Sequence, residues 1–206
     1  MMSLVLRLIM FQEHSSLMTS LSIREIDISV AEPFQDELSE EWLKEVLRRA
    51  LEVALPPDEP GQVSLVIVDD ATIRELNRKF RGLDEVTDVL SFSTVHPGHW
   101  EGEDDLAPVP EKDTQIVFAQ DEHADAFVFP TGEIPPLGEV IVCYPQALRQ
   151  AHSQDHSVER EVALLVVHGV LHLVGHDHLD IEDTAIMKAK EQAALETLFP
   201  LRTDSL

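Results

Sequence analysis

The stretch 158–174, VEREVALLVVHGVLHLV, constrains this chain more than any other. From Val162 to Val174 apolar residues hold nearly every position, so as a helix this segment has no side to give to water. A helix apolar all round is buried, and the rest of the chain has to surround it. Ser157 suits the N-cap. A full capping box would need an acid or amide three residues later, where Arg160 stands. Glu159 and Glu161 nevertheless place negative charge in the first turn, which suits the helix dipole. Two histidines interrupt the apolar run. His168 and His172 are four apart, so they differ by about 40° around the axis and both imidazoles face one way. Gly175 then permits a turn through positive φ, which swings His178 back toward the first two. Burying unpaired imidazoles is costly. Three neutral imidazoles with an open fourth position for water make a catalytic zinc site. One Zn2+ per chain is therefore expected, held by His168, His172 and His178.

The spacing, H-x3-H-x2-G-x2-H, is that of the metzincin proteases, with one difference. Those enzymes carry Glu directly after the first histidine, as general base for the attacking water. Here Gly169 stands in that place, and a glycine moves no proton. Peptide hydrolysis falls behind other metal-assisted hydrolyses on that ground.

The formal charge of −24 opposes nucleic-acid binding at long range, because phosphate affinity rests on Lys and Arg. A local basic groove, a bound cation or a partner protein can act against that average field. A single cysteine, Cys143, excludes an internal disulfide framework and a cysteine-based zinc site, and it fits a reduced, cytoplasmic setting. Residues 3–11 are apolar apart from Ser3 and Arg7. The run is far short of the ~20 residues of a membrane span, Arg7 breaks it, and no A-x-A-like cleavage site follows. The expectation is a flexible tail over 1–21, not an export signal, with Met18 as an alternative start.

Ordered sequence is expected from Ser22, as one domain over 22–206. IDISV alternates like a strand. Residues 38–54 repeat apolar positions at helical spacing until Pro56 and Pro57. VSLVIV (63–68) reads as a buried strand, and Asp69 or Asp70 as the cap of a helix reaching Phe80. VTDVLSF (86–92) and LGEVIVC (137–143) are two further strands. Tyr144 to His152 reads as a helix with Pro145 in its first turn. The last helix runs from Ile181 to Leu198, with Ala185, Ile186, Ala189 and Ala193 as its apolar face. Between them, Thr94–Pro136 holds six of the twelve prolines and ten acidic residues against one basic residue, Lys112. It is expected to be an acidic surface insertion, with a hairpin from QIVFA and AFVFP. His96 and His99 fall in it and are expected to be solvated.

HGVLHLVGHDH (168–178) resembles the signature of the YbeY family, the single-zinc endoribonucleases of bacterial rRNA maturation. LNRKFRGLDEVTDVLSF (76–92) and LGEVIVC (137–143) are similar to two further blocks of that family, in the same order. The resemblance covers about Ser22 to Phe199 without the insertion. It implies an α+β fold, with a small mixed β-sheet flanked by helices and the zinc site at the end of a buried helix. It implies an rRNA substrate, processed near the small-subunit 3′ end, and contacts with the ribosomal small subunit or its proteins, with neither membrane nor DNA as a partner. It also carries over Arg81 as a functional cation, whose planar fork suits a phosphate. From sequence alone, Arg81 reads as a surface salt bridge. Asp88 and Asp177 are candidates for orienting imidazoles, His176 for shuttling protons, and Glu139 stands where the family usually has Asp. The rival from another class is a non-catalytic ribosome-assembly factor stapled by zinc.

Overall fold

The computed structural model describes residues 23–96, 134–176 and 180–200. The expected tail, most of the acidic insertion with its hairpin, His99, Asp177 and His178 lie outside the described residues.

Four strands form one mixed sheet: β1 (Arg24–Val30), β2 (Gly61–Val68), β3 (Val89–Ser93) and β4 (Pro136–Cys143), in the order β1-β2-β4-β3. β1, β2 and β4 are parallel, and β3 runs antiparallel to β4 along one edge. The helices are α1 (Glu40–Ala54), α2 (Asp70–Arg81), α3 (Tyr144–Gln154), α4 (Val158–Leu173) and α5 (Ile181–Leu198), with a 3-10 turn at Glu32–Phe34. This is the α+β architecture expected from sequence.

The alternation of strand residues sorts them between two faces. Val63, Leu65, Ile67, Val140 and Val142 point to one face and join Leu43, Val46, Leu47, Ala50 and Leu51 of α1 in the main core. α4 is the centre of that core, with ten of its sixteen residues buried. Leu90, Ile141 and Cys143 point to the other face and pack with Ile73 of α2, with Phe92 partly buried against them. β3 thus separates α4 on one side from α2 on the other.

The caps follow the sequence closely. The Asp69 side chain accepts from Thr72 N at 2.8 Å, and Ser157 Oγ accepts from Arg160 N at 3.2 Å without a capping box. β3 begins three residues later than the alternation suggests. Asp88 instead uses its carboxylate to accept from Val89 N, at 2.9 Å. α5 departs further from expectation, since Ala185, Ile186, Ala189 and Ala193 are all exposed. Met187, Ala194 and Leu195 are the buried residues. Ala185, Ala189 and Ala193 do form one stripe, but it faces solvent; the larger Met187 and Leu195 lie on another side of the helix and set the buried face, because they remove more apolar surface from water.

Candidate metal centre

The last turn of α4 builds the centre. After Val174 the chain turns through Gly175 at φ 86°, donating Gly175 N to His172 O and His176 N to Leu171 O, both at 3.0 Å. These are the two bonds of a Schellman motif, so the helix ends at a fixed point just past its second histidine. A side-chain hydroxyl holds the edge strand to the same place. Ser93 Oγ donates to Leu173 O at 2.7 Å and accepts from His96 N at 2.9 Å.

His168 and His172 converge as their spacing requires. Their Nε2 atoms are 3.0 Å apart, with ring planes at 79°. His168 Nδ1 lies 2.8 Å from Glu191 Oε1 on α5. The carboxylate can only accept, so Nδ1 carries the proton and Nε2 presents its lone pair. Two nitrogens on a tetrahedral zinc ion, each at about 2.05 Å, are about 3.3 Å apart. The pair is therefore close to ligand geometry. The donor set fits zinc. Among the described residues no group of three or more His, Cys, Asp or Glu lies within reach of one ion. The expected third ligand, His178, is outside those residues.

The other sequence candidates divide. Asp88 does not orient an imidazole: its Oδ1 accepts from Val89 N, and its Oδ2 from Gln150 Nε2 at 2.7 Å. Glu139 alternates with Val140, which meets Gly169 of α4, so Glu139 faces the α2 side and not the histidines. The orienting carboxylate is Glu191, which sequence reasoning missed. Nothing in the sequence marks one acid among many on α5. His96 is exposed but not simply solvated, because its ring lies over Gly175. A Cβ added at Gly175 would come within 3.0 Å of His96 Nε2. Arg81 closes α2, partly buried and with no salt bridge to a carboxylate among the described residues. Phe80 beside it packs edge-on against Phe92 of β3, with centroids 5.1 Å apart.

Beside His168 a cleft of about 450 Å³ opens between α4 and α5, lined among others by Glu161, Leu164, Met187, Lys188 and Glu191. Glu161 is only 2% exposed. Burial pushes its carboxyl above the usual range. His156 opposes that shift and the Asp88 charge adds to it.

A mixed four-stranded sheet presenting two convergent imidazoles from a buried helix defines an α+β protein with a preorganised histidine site. The family model described as "Endoribonuclease YbeY" matches residues 25–199, and the chain belongs to that family. An "Endoribonuclease YbeY" of Dehalococcoides mccartyi is 38% identical over 172 residues, spanning 84% of this chain and 88% of that protein. One from Desulforamulus reducens is also 38% identical, spanning 80% of this chain and 92% of its own length. The solution structure of TM1509 from Thermotoga maritima matches with a TM-score of 0.48 at 25% identity, covering 84% of this chain and 88% of that one.

Proposed function

We propose that this protein is a zinc-dependent endoribonuclease of rRNA maturation, acting in the cytoplasm near the 3′ end of the small-subunit rRNA and in contact with the ribosomal small subunit. The observation that carries the reading is the His168–His172 pair, with Glu191 fixing the tautomer of the first imidazole. Family membership supplies the reaction class. No helix among the described residues is long and apolar enough to cross a membrane.

His168 and His172 would hold the ion, with His178 assigned as the third ligand. Zinc bound there supplies a Lewis acid and a water acidic enough to ionise near neutral pH. Glu191 accepts the Nδ1 proton of His168 and keeps its Nε2 directed at the ion. Arg81 is assigned to the scissile phosphate, where its guanidinium donates to two oxygens and opposes the charge that grows in the transition state. In a chain of net charge −24, that contact is helped by Arg81 having no carboxylate partner among the described residues.

The test is cleavage of rRNA fragments spanning the small-subunit 3′ end, with bound zinc measured on the same samples. His172→Ala should lose zinc and cleavage together. Arg81→Ala should keep zinc and fold yet cut poorly. Equal cutting by all three proteins would identify a contaminating nuclease. Full zinc occupancy with no cutting would refute the reading.

A further inference from the structure

The cleft beside His168 contains polar groups that the proposed reaction does not use. Glu161 is a nearly sealed acid among the otherwise apolar buried residues of α4. Its Oε2 lies 2.9 Å from His156 Nε2 but out of line for a hydrogen bond. His156 Nδ1 lies 3.0 Å from Ser157 O and donates to it, so Nε2 and Oε2 need one proton between them. Whichever of the two carries that proton, Oε1 remains an acceptor. It has no partner among the described residues. Asp88, which also lines the cleft, accepts from Gln150 Nε2 at 2.7 Å, and Gln150 leaves its own Oε1 buried without a partner among the described residues. A buried acceptor left unsatisfied is costly, and here the deficit recurs around one cleft.

The other side of the same cleft carries the opposite chemistry. Lys188 is exposed and lines the cleft together with Glu161 and Glu191, yet it has no carboxylate partner among the described residues. Leu164 and Met187 form apolar walls between them. An acceptor-rich interior, a cation on the exposed side and apolar walls suit a planar heterocycle. It needs two adjacent N–H donor groups on one edge and a carbonyl beside them. Among RNA bases that is guanine, with N1–H and N2–H2 as donors and O6 as acceptor. Adenine and cytosine each place a ring acceptor beside the amino group, which would face Glu161 unfavourably. Uracil has one N–H between two carbonyls.

We infer that this cleft is a base-specificity pocket for a guanine of the RNA strand, with Glu161 accepting from its donor edge and Lys188 donating to O6. His168 borders both the metal-facing side and this cleft, so a base seated there lies next to the reacting phosphate. The inference rests on the endoribonuclease reading, and its test can be separated from it.

The experiment is equilibrium binding of 5′-GMP, IMP, AMP, CMP and UMP to the zinc-loaded full-length protein, followed by cleavage of mixed-sequence RNA. GMP should bind at least about tenfold more tightly than AMP, CMP or UMP. IMP, which lacks the N2 amino group, should fall between. Glu161→Gln should abolish the preference. Lys188→Ala changes an exposed residue, so it tests the pocket without disturbing the core, and it should weaken GMP about tenfold. Similar affinity for all five nucleotides, a preference for adenine or cytosine, or GMP binding untouched by Lys188→Ala would each overturn the pocket. If RNA is not cut but the guanine preference and its loss in Lys188→Ala are found, the nuclease reading fails and the pocket stands. If RNA is cut without regard to base, the pocket fails and the nuclease reading stands.

Discussion

Gly169→Ala tests how closely α4 packs on the sheet. A Cβ at position 169 would lie 2.6 Å from Val140 Cγ1, 3.1 Å from Val140 Cγ2 and 3.0 Å from Ser91 Oγ. Carbon atoms rest at about 3.5–4.0 Å, so the first contact must open by about 1 Å. Ser91 can turn its hydroxyl away. Val140 cannot yield so cheaply, because it is β-branched, 0% exposed, and paired on both sides within the sheet. Overpacking of this kind costs about 1–3 kcal/mol. Alanine recovers up to about 1 kcal/mol of helix propensity over glycine. The expected net loss is up to about 2 kcal/mol, or up to about 8 °C in Tm for a domain of this size. The assay is urea unfolding of zinc-free protein, since bound metal would add its own stabilisation. The midpoint should fall while the m-value stays unchanged. A variant as stable as the parent, or more stable, would mean that propensity outweighs packing and would refute the close approach.

Glu191→Ala should weaken zinc binding about 10–100-fold, while Glu191→Gln, which keeps an acceptor, should weaken it less. Chelator competition measures both, and unchanged affinity in the alanine variant would remove Glu191 from its role at His168. Burial pushes the Cys143 thiol up to about 12, so alkylation at neutral pH should proceed only through unfolding. Labelling that is fast in native buffer and independent of urea would contradict this. Hydrogen bonds from Arg149 hold the Asp70 carboxyl below its ordinary 3.8. A depressed carboxylate contributes stability that is complete above its unfolded pKa and is lost as pH falls through the folded value. Both side chains are about half exposed, so Asp70→Asn should cost no more than about 1 kcal/mol at pH 7. That cost should shrink as pH falls below 3.8 and through the lowered folded value, and a cost that persists once the carboxyl is protonated in both states would show that the pair acts through packing.

Much of this architecture was legible because its signals are local. Strand alternation, the Asp69 and Ser157 caps, and the Gly175 turn each depend on a few neighbouring residues, and each is found where the sequence places it. The convergence of His168 and His172 follows from helical spacing alone. The errors concern relations between distant segments. Asp88 carries suitable chemistry near a suitable motif, but local bonds occupy it. Glu191 orients His168 from 23 residues away. It reaches the site only because α5 packs its Met187 and Leu195 face inward, while its alanine stripe points the reading to the other side. The polarity of Glu161 was visible as an acid in a helix first turn, and the dipole accounted for it there. Its burial shows only once α3 and α4 are packed together.

Position 169 connects the packing of α4 to the chemistry of the site. Successive residues on a helix point about 100° apart. With His168 directed at His172 and Glu191, residue 169 is directed at Val140 and Ser91, where even one methyl group has no room. Glycine there therefore reflects a wall as well as a missing base. A glutamate would have to displace the central strand β4 before it could reach the histidine pair. Gly169→Glu should therefore fail to fold or lose several kcal/mol, on the order of the larger core substitutions, and should gain no peptidase activity. A stable Gly169→Glu protein that cleaves peptides would show that the sheet leaves this side of α4 open. As the strand and helix are packed, proton transfer at this site has to come from residues outside position 169.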